Sequence, residues 1–253
     1  MRRVVVKLGS SIVAHDDGSL REDVLQAVCH TVADQHDAGT EVVIVTSGAI
    51  ARGMQVMGLG GRPAQIGELQ AASAVGQGKL YHVYDELLRA RGVTSAQVLL
   101  TFFDVSARMH YLNARETLRT LLDWKVVPVI NENDTVGTQE IRFGDNDHLA
   151  ALVAQLVHAD VLVLLSDVDG IYTKPPTEPG AERIELVPFG HLLDHVEFGS
   201  IGSAGVGSGG AGTKAAAAQF AAESGTAVLI TNAALVASAL RGENVGTWFD
   251  AAS

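Results

Sequence analysis

Asn131-Glu132-Asn133-Asp134-Thr135 follows the apolar run Val126-Val127-Pro128-Val129-Ile130, and Gly144-Asp145-Asn146-Asp147 begins ten residues after Asp134. The run reads as a buried strand. The first polar cluster then lies at the strand's carboxyl end, and the second opens an alanine- and leucine-rich helix. Ligands of open α/β sheets bind outside the carboxyl ends of the strands. One such loop is explained by ordinary Asx turns. Four polar clusters on successive strand ends point instead to a site.

A second constellation suits phosphate. Gly207-Ser208-Gly209-Gly210-Ala211-Gly212-Thr213-Lys214 is a glycine-rich turn running into a helix. Glycines let backbone N–H groups approach an anion, and a helix N-terminus adds partial positive charge. The segment resembles a Walker A loop, but its lysine comes one residue late and the order is Thr-Lys. Lys7 stands inside the first apolar run, just ahead of Gly9-Ser10-Ser11. A lysine between Val and Leu needs a paired charge or a strand-end cleft, unless it snorkels to solvent from an edge. The segment alone leaves both readings open. Two lysines, loop amides and a magnesium ion together would supply what phosphoryl transfer needs, which is mainly positioning and charge stabilisation.

Smaller signals sit at other strand ends. Ser47-Gly48 has the form of a nest for a small anion, or of a β-turn. Ser166-Asp167 is a strand-end pair that equally suits a cap. Asp147 alone is an acid favoured by a helix dipole, which does not account for Asp145, Asn146 and Asp147 together. The nine histidines show no metal-ligand spacing, so no protein metal site is expected. No Ser-His-Asp arrangement can be assembled.

The elements that must position these residues alternate between strand and helix. Strands are expected at 4–8, 41–46, 95–100, 126–130, 161–165 and 227–230, with 245–249 as a final edge strand. Helices are expected at 20–38, 64–91 (weakened by Gly76 and Gly78), 107–123, 147–158 and 214–223. Ile171-Tyr172 with Pro175-Pro176 reads as an irregular or hairpin excursion. This pattern predicts a three-layer αβα sandwich around a mostly parallel sheet. No repeat or linker divides the chain, so residues 1–253 read as one domain whose halves hold different ligands.

A chain of 253 residues buries a full core, and 47% hydrophobic content with 27 glycines suits a parallel sheet wrapped in alanine-rich helices. The net charge of −11 argues against a nucleic-acid partner. Cys29, the single cysteine, reads as a buried, inert thiol and fits a reducing cytosol. The amino-terminal apolar stretch is too short for a signal sequence, and Val161–Leu165 too short to span a bilayer. A cytoplasmic protein without membrane partners is expected.

Taken in order, Val5-Val6-Lys7-Leu8-Gly9-Ser10-Ser11, Val45-Thr46-Ser47-Gly48-Ala49-Ile50, Leu112-Asn113-Ala114-Arg115, Pro128 through Asp134, Gly144 through Asp147, Ser166 through Thr173 and Gly207 through Lys214 resemble the amino acid kinase family. The Asn-Glu-Asn-Asp and Gly-Asp-Asn-Asp pair resembles its branch that phosphorylates the side-chain carboxylate of glutamate in proline synthesis. The resemblance implies that Lys7 and Lys214 stabilise the transferring phosphoryl group while Asp147 organises them. It places glutamate on Ser47, Gly48, Asp134 and Asn146. ATP falls to Lys7, Gly9, Ser166, Asp167 and residues 208–214, with Mg2+ as cofactor. Asp134 suits the α-ammonium of glutamate; Asn146 and the Ser47-Gly48 backbone suit its carboxylates. Proline feedback and a homo-oligomer, dimer or tetramer, are further implications. Rival readings are a kinase for acetylglutamate, aspartate, carbamate or a phosphate monoester, and a catalytically silent sensor. Two departures stand out: Lys174-Pro175-Pro176 replaces the family's frequent acid before proline, and no C-terminal PUA domain follows Phe249.

Overall fold

The computed structural model describes residues 2–137, 146–191, 193, 196 and 210–252. Among the described residues, eight strands form one sheet: β1 (Arg3–Leu8), β2 (Glu41–Val45), β3 (Ser95–Leu100), β4 (Val127–Glu132), β5 (Val161–Ser166), β6 (Leu186–Val187), β7 (Ala227–Asn232) and β8 (Thr247–Phe249). Their order is β3-β4-β2-β1-β5-β7-β8-β6. Neighbours from β3 to β7 are parallel. β8 turns antiparallel to β7, and β6 runs parallel to β8. The strand expected at the edge is therefore interior, because the short β6 covers it.

Helices fill both faces: α1 (Ser10–Val13), α2 (Glu22–Asp37), α3 (Ala49–Met57), α4 (Ile66–Arg89), α5 (Phe102–Ser106), α6 (Arg108–Asp123), α7 (Asn146–Leu156), α8 (Ala211–Glu223) and α9 (Val236–Leu240). One core layer joins Val4, Val6 and Leu8 of β1 to Leu25 and Val32 of α2, Leu80 and Tyr84 of α4, and Leu240 of α9. The other joins Val5 to Leu118 of α6, Val153 of α7 and Ala218 of α8. This is the expected αβα sandwich. Strand side chains alternate, so Lys7 shares the face of Val5, the face that α7 and α8 cover.

Two segments differ from the sequence expectation for a packing reason. Helix α3 was not expected, and Gly76 was expected only to weaken α4. A Cβ at Gly76 would lie 1.9 Å from the Ala49 carbonyl oxygen, and one at Gly53 would lie 1.7 Å from that of Ala72. The glycines thus bring α3 and α4 into backbone contact, which outweighs the propensity loss of about 1 kcal/mol for glycine in a helix. Gly78 meets nothing within 4 Å and has no such role. Cys29 is fully buried in α2, and burial pushes its thiol up to about 12. Among the described residues, no helix is long and apolar enough to cross a membrane.

Candidate active site

The carboxyl ends of β1, β2, β4 and β5 meet the amino ends of α7 and α8. Asp147, the second residue of α7, lies between the two lysines. Lys7 Nζ is 2.5 Å from Asp147 Oδ1, and Lys214 Nζ donates to Asp147 Oδ2 at 3.0 Å. Lys214 reaches this point from the first turn of α8, and Lys7 from the end of β1. All three residues are buried. Burial pushes the Asp147 carboxyl up, but the Lys7 and Lys214 ammoniums beside it prevail and hold it below the usual carboxylate range. Gly9 belongs here too, since a Cβ on it would come 3.5 Å from Lys7 Nζ. The result is a buried cluster carrying two positive charges and one negative, facing strand-end clefts.

On the side of β2 and β4, Asn146 Nδ2 donates to Thr46 O at 2.8 Å, Ser47 Oγ at 2.7 Å and Asn131 Oδ1 at 3.0 Å. The Thr46 carbonyl can only accept, so the amide nitrogen must face the protein. The buried Oδ1 has no donor among the described residues. The sequence assigns Asn146 a carboxylate to bind; here its amide donor is taken up by the protein and an acceptor oxygen is left. Ser47 and Gly48 precede α3, and Gly48 adopts φ of 104°, the left-handed turn that a nest requires. Asp134 accepts from Ser73 Oγ at 2.8 Å. Burial pushes the Asp134 carboxyl up, opposed by the Ser73 hydrogen bond and the Arg62 charge.

On the side of β5 and β7, a cavity of about 270 Å³ is lined by Ser166, Asp167, Gly170, Tyr172, Lys174 and Pro175, among others, with Gly210, Ala211 and Lys214 across from them. Lys174-Pro175, one of the departures noted in the sequence, thus forms part of its wall. Helix α8 begins at Ala211, with Gly210 as its N-cap residue, so Gly212 and Thr213 lie in its first turn. Thr213 Oγ1 donates to the Gly210 carbonyl at 2.8 Å, a bond that shapes the helix start. Ser208 and Gly209, like Gly144 and Asp145, fall outside the described residues.

The amino acid kinase family model matches residues 2–232, which contain every residue of this site. The chain belongs to the amino acid kinase family. It is 55% identical to "Glutamate 5-kinase" of Clavibacter michiganensis subsp. michiganensis, over 98% of this chain and 94% of that protein. The protein of the same name from Leifsonia xyli subsp. xyli is 52% identical, over 98% of this chain and 90% of its own length. "Glutamate 5-kinase" of Streptomyces avermitilis is 50% identical over 98% of this chain, which covers 66% of that longer protein.

Within this amino acid kinase site, several participants escaped the sequence reading. Asn131 Nδ2 donates to Gln77 Oε1 at 2.7 Å, and Gln70 Nε2 donates to the Gly137 carbonyl at 3.0 Å. Gln70, Ser73 and Gln77 form one stripe of α4 at helical spacing, facing the end of β4 and the loop after it. That polar stripe within an alanine-rich helix was the available signal. Thr46 Oγ1 and the Tyr84 hydroxyl lie 2.7 Å apart beneath it, and burial pushes the Tyr84 hydroxyl up.

Proposed function

We infer that this chain transfers the γ-phosphoryl group of MgATP to the side-chain carboxylate of L-glutamate, giving L-glutamyl 5-phosphate and ADP, the first step of proline biosynthesis. The observation that carries the reading is the buried Lys7–Asp147–Lys214 cluster between two polar clefts. A glutamate side chain is ionised near neutral pH, so its oxygen attacks the γ-phosphorus without a strong base. As the new O–P bond forms and the bond to the ADP oxygen breaks, charge on the phosphoryl oxygens is met by two ammoniums. Asp147 positions both lysines and is not asked to accept a proton.

The amino-terminal half holds glutamate: Asp134 and the Asn146 carbonyl take its α-ammonium, and the Ser47-Gly48 turn takes a carboxylate. The carboxyl-terminal half holds ATP between Ser166-Asp167 and the start of α8. Magnesium arrives with the triphosphate, coordinated mainly by phosphate oxygens and water. The relatives named glutamate 5-kinase support the substrate choice. The enzyme acts in the cytoplasm as a homo-oligomer, a dimer or tetramer. A coupled ADP-release assay offering glutamate, acetylglutamate, aspartate and carbamate, each with MgATP, tests the reading. Turnover is expected with glutamate; preference for another acceptor, or no turnover with any, would overturn it.

Asp134→Asn is expected to raise the glutamate KM roughly tenfold or more, since a hydrogen bond to a charged group contributes about 1.5–3 kcal/mol. The KM for ATP should stay nearly constant. The raised carboxyl must ionise to hold an ammonium, so glutamate KM should fall as pH rises through its titration. Asp134→Asn should lose that dependence. Equal changes in both KM values would indicate a general structural defect instead.

Proline carries the same α-ammonium and α-carboxylate, so it should compete for the Asp134 and Ser47-Gly48 groups. The stretch 135–143 after β4 lies partly outside the described residues. Calorimetry should show proline affinity weakened by saturating glutamate, and glutamate affinity weakened by proline by the same factor. Unchanged proline affinity would exclude overlap, and absence of proline binding would remove feedback.

A further inference from the structure

The wall of the nucleotide cleft hangs on a residue outside the stretch that matches the family model. Residues 171–173 and 182–184 form a short antiparallel pair. Ile184 N–H donates to the Ile171 carbonyl at 2.8 Å, Thr173 N–H donates to the Glu182 carbonyl at 2.9 Å, and Tyr172 bridges to Arg183. One arm presents Ile171, Tyr172 and Lys174 to the cavity. So small a pair is marginal on its own and must be fixed to the sheet to hold its shape.

Thr247, the first residue of β8, fixes it. The side chain is fully buried, and its hydroxyl serves both arms at once. Oγ1 accepts from the Ile171 N–H at 2.8 Å and donates to the Ile184 carbonyl at 2.5 Å. A threonine hydroxyl has one donor and two acceptor sites, so a single oxygen can satisfy a buried N–H and a buried C=O together. The approach is close: a Cβ at Gly170 would lie 2.7 Å from that oxygen and 3.0 Å from Arg183 Cδ. Tyr172 is held separately, its hydroxyl donating to Asp169 Oδ1 at 2.7 Å while Arg183 donates to Asp169 Oδ2 at 2.8 Å.

We propose that Thr247 is a positioning residue for nucleotide binding, whose hydroxyl pins both arms of the 171–184 hairpin so that Ile171 and Tyr172 face the bound nucleotide. The proposal rests on the reading of this cavity as the nucleotide site. Valine matches threonine in shape but lacks the hydroxyl, so Thr247→Val leaves the Ile171 N–H and Ile184 carbonyl without that partner. The hairpin then loses its preferred position relative to α8.

Steady-state kinetics of the full chain with both substrates varied tests this. Thr247→Val is expected to raise the ATP KM about fivefold or more, while glutamate KM stays within about twofold. Thr247→Ser, which keeps the hydroxyl, should restore the ATP KM to within about twofold. An unchanged ATP KM in Thr247→Val, parallel rises in both KM values, or no rescue by serine would overturn the proposal. Should Thr247→Val fail to fold, Thr247→Ala, which also lacks the hydroxyl, carries the same expectation and the same serine criterion. Tyr172→Ala separates the two levels. A raised ATP KM there with a normal one in Thr247→Val sinks the role of Thr247 alone. Normal ATP KM values in both variants sink the nucleotide reading of the cavity, and the proposal with it.

Discussion

Lys7→Ala and Lys214→Ala are each expected to lower turnover by roughly 30- to 1,000-fold, a loss of about 2–4 kcal/mol in transition-state stabilisation. Each ammonium is buried and paired with Asp147, and on the proposed reading the phosphoryl group passes beside it. Charge on the equatorial oxygens and the departing ADP oxygen shifts during transfer, so a fixed cation contributes more to the transition state than to the bound substrates. The effect therefore belongs in kcat, and the glutamate KM should change by less than about threefold. Lys7→Met and Lys214→Met keep most of the side-chain stem and should show the same kinetic loss. Their thermal midpoints separate lost charge from lost packing. Near-normal turnover in either methionine variant would remove that lysine from the chemistry.

The sequence makes some of this machinery legible and conceals the rest for identifiable reasons. The valine run of β1 reads directly as a buried strand, and alternation puts Lys7 on the face of Val5. Only the sheet order tells which helices cover that face, and hence that Lys7 meets Asp147 instead of solvent. Asp147 and Lys214 are conspicuous because each lies in the first turn of a helix beside other polar residues. Ser73 and Gln77 are not, because their role depends on α4 lying against the end of β4 and the loop after it, a long-range contact without local signature. The donor direction of Asn146 is likewise set by the Thr46 carbonyl, a hundred residues away in the chain. Gly76 shows the reverse difficulty: its local propensity argues against a helix, and the reason for it is the α3 backbone. β8 reads as a strand from its β-formers, but the two-residue β6 that makes it interior is too short to be seen.

Asp147→Asn should do damage of a different kind. Both carboxylate oxygens are engaged by buried ammoniums, and asparagine can offer one carbonyl oxygen and no charge. Two like charges would then share the pocket without the anion between them. Removing one partner from a buried charge network costs about 3–5 kcal/mol, so the thermal midpoint should fall by several degrees and turnover should drop at least as far as in either lysine variant. The pH dependence has a definite sign. The Asp147 carboxyl is held below its ordinary value of 3.8, so its stabilising contribution is present above that value and is lost as pH falls through the lower folded one. Acid unfolding followed by tryptophan fluorescence should therefore lose part of its pH dependence in Asp147→Asn. Combining Asp147→Asn with Lys7→Met removes one of the opposed ammoniums, and the double variant should be less destabilised than the sum of the two single changes. Strict additivity would mean that Lys7 and Asp147 do not act on one another, and the cluster could no longer be treated as a unit.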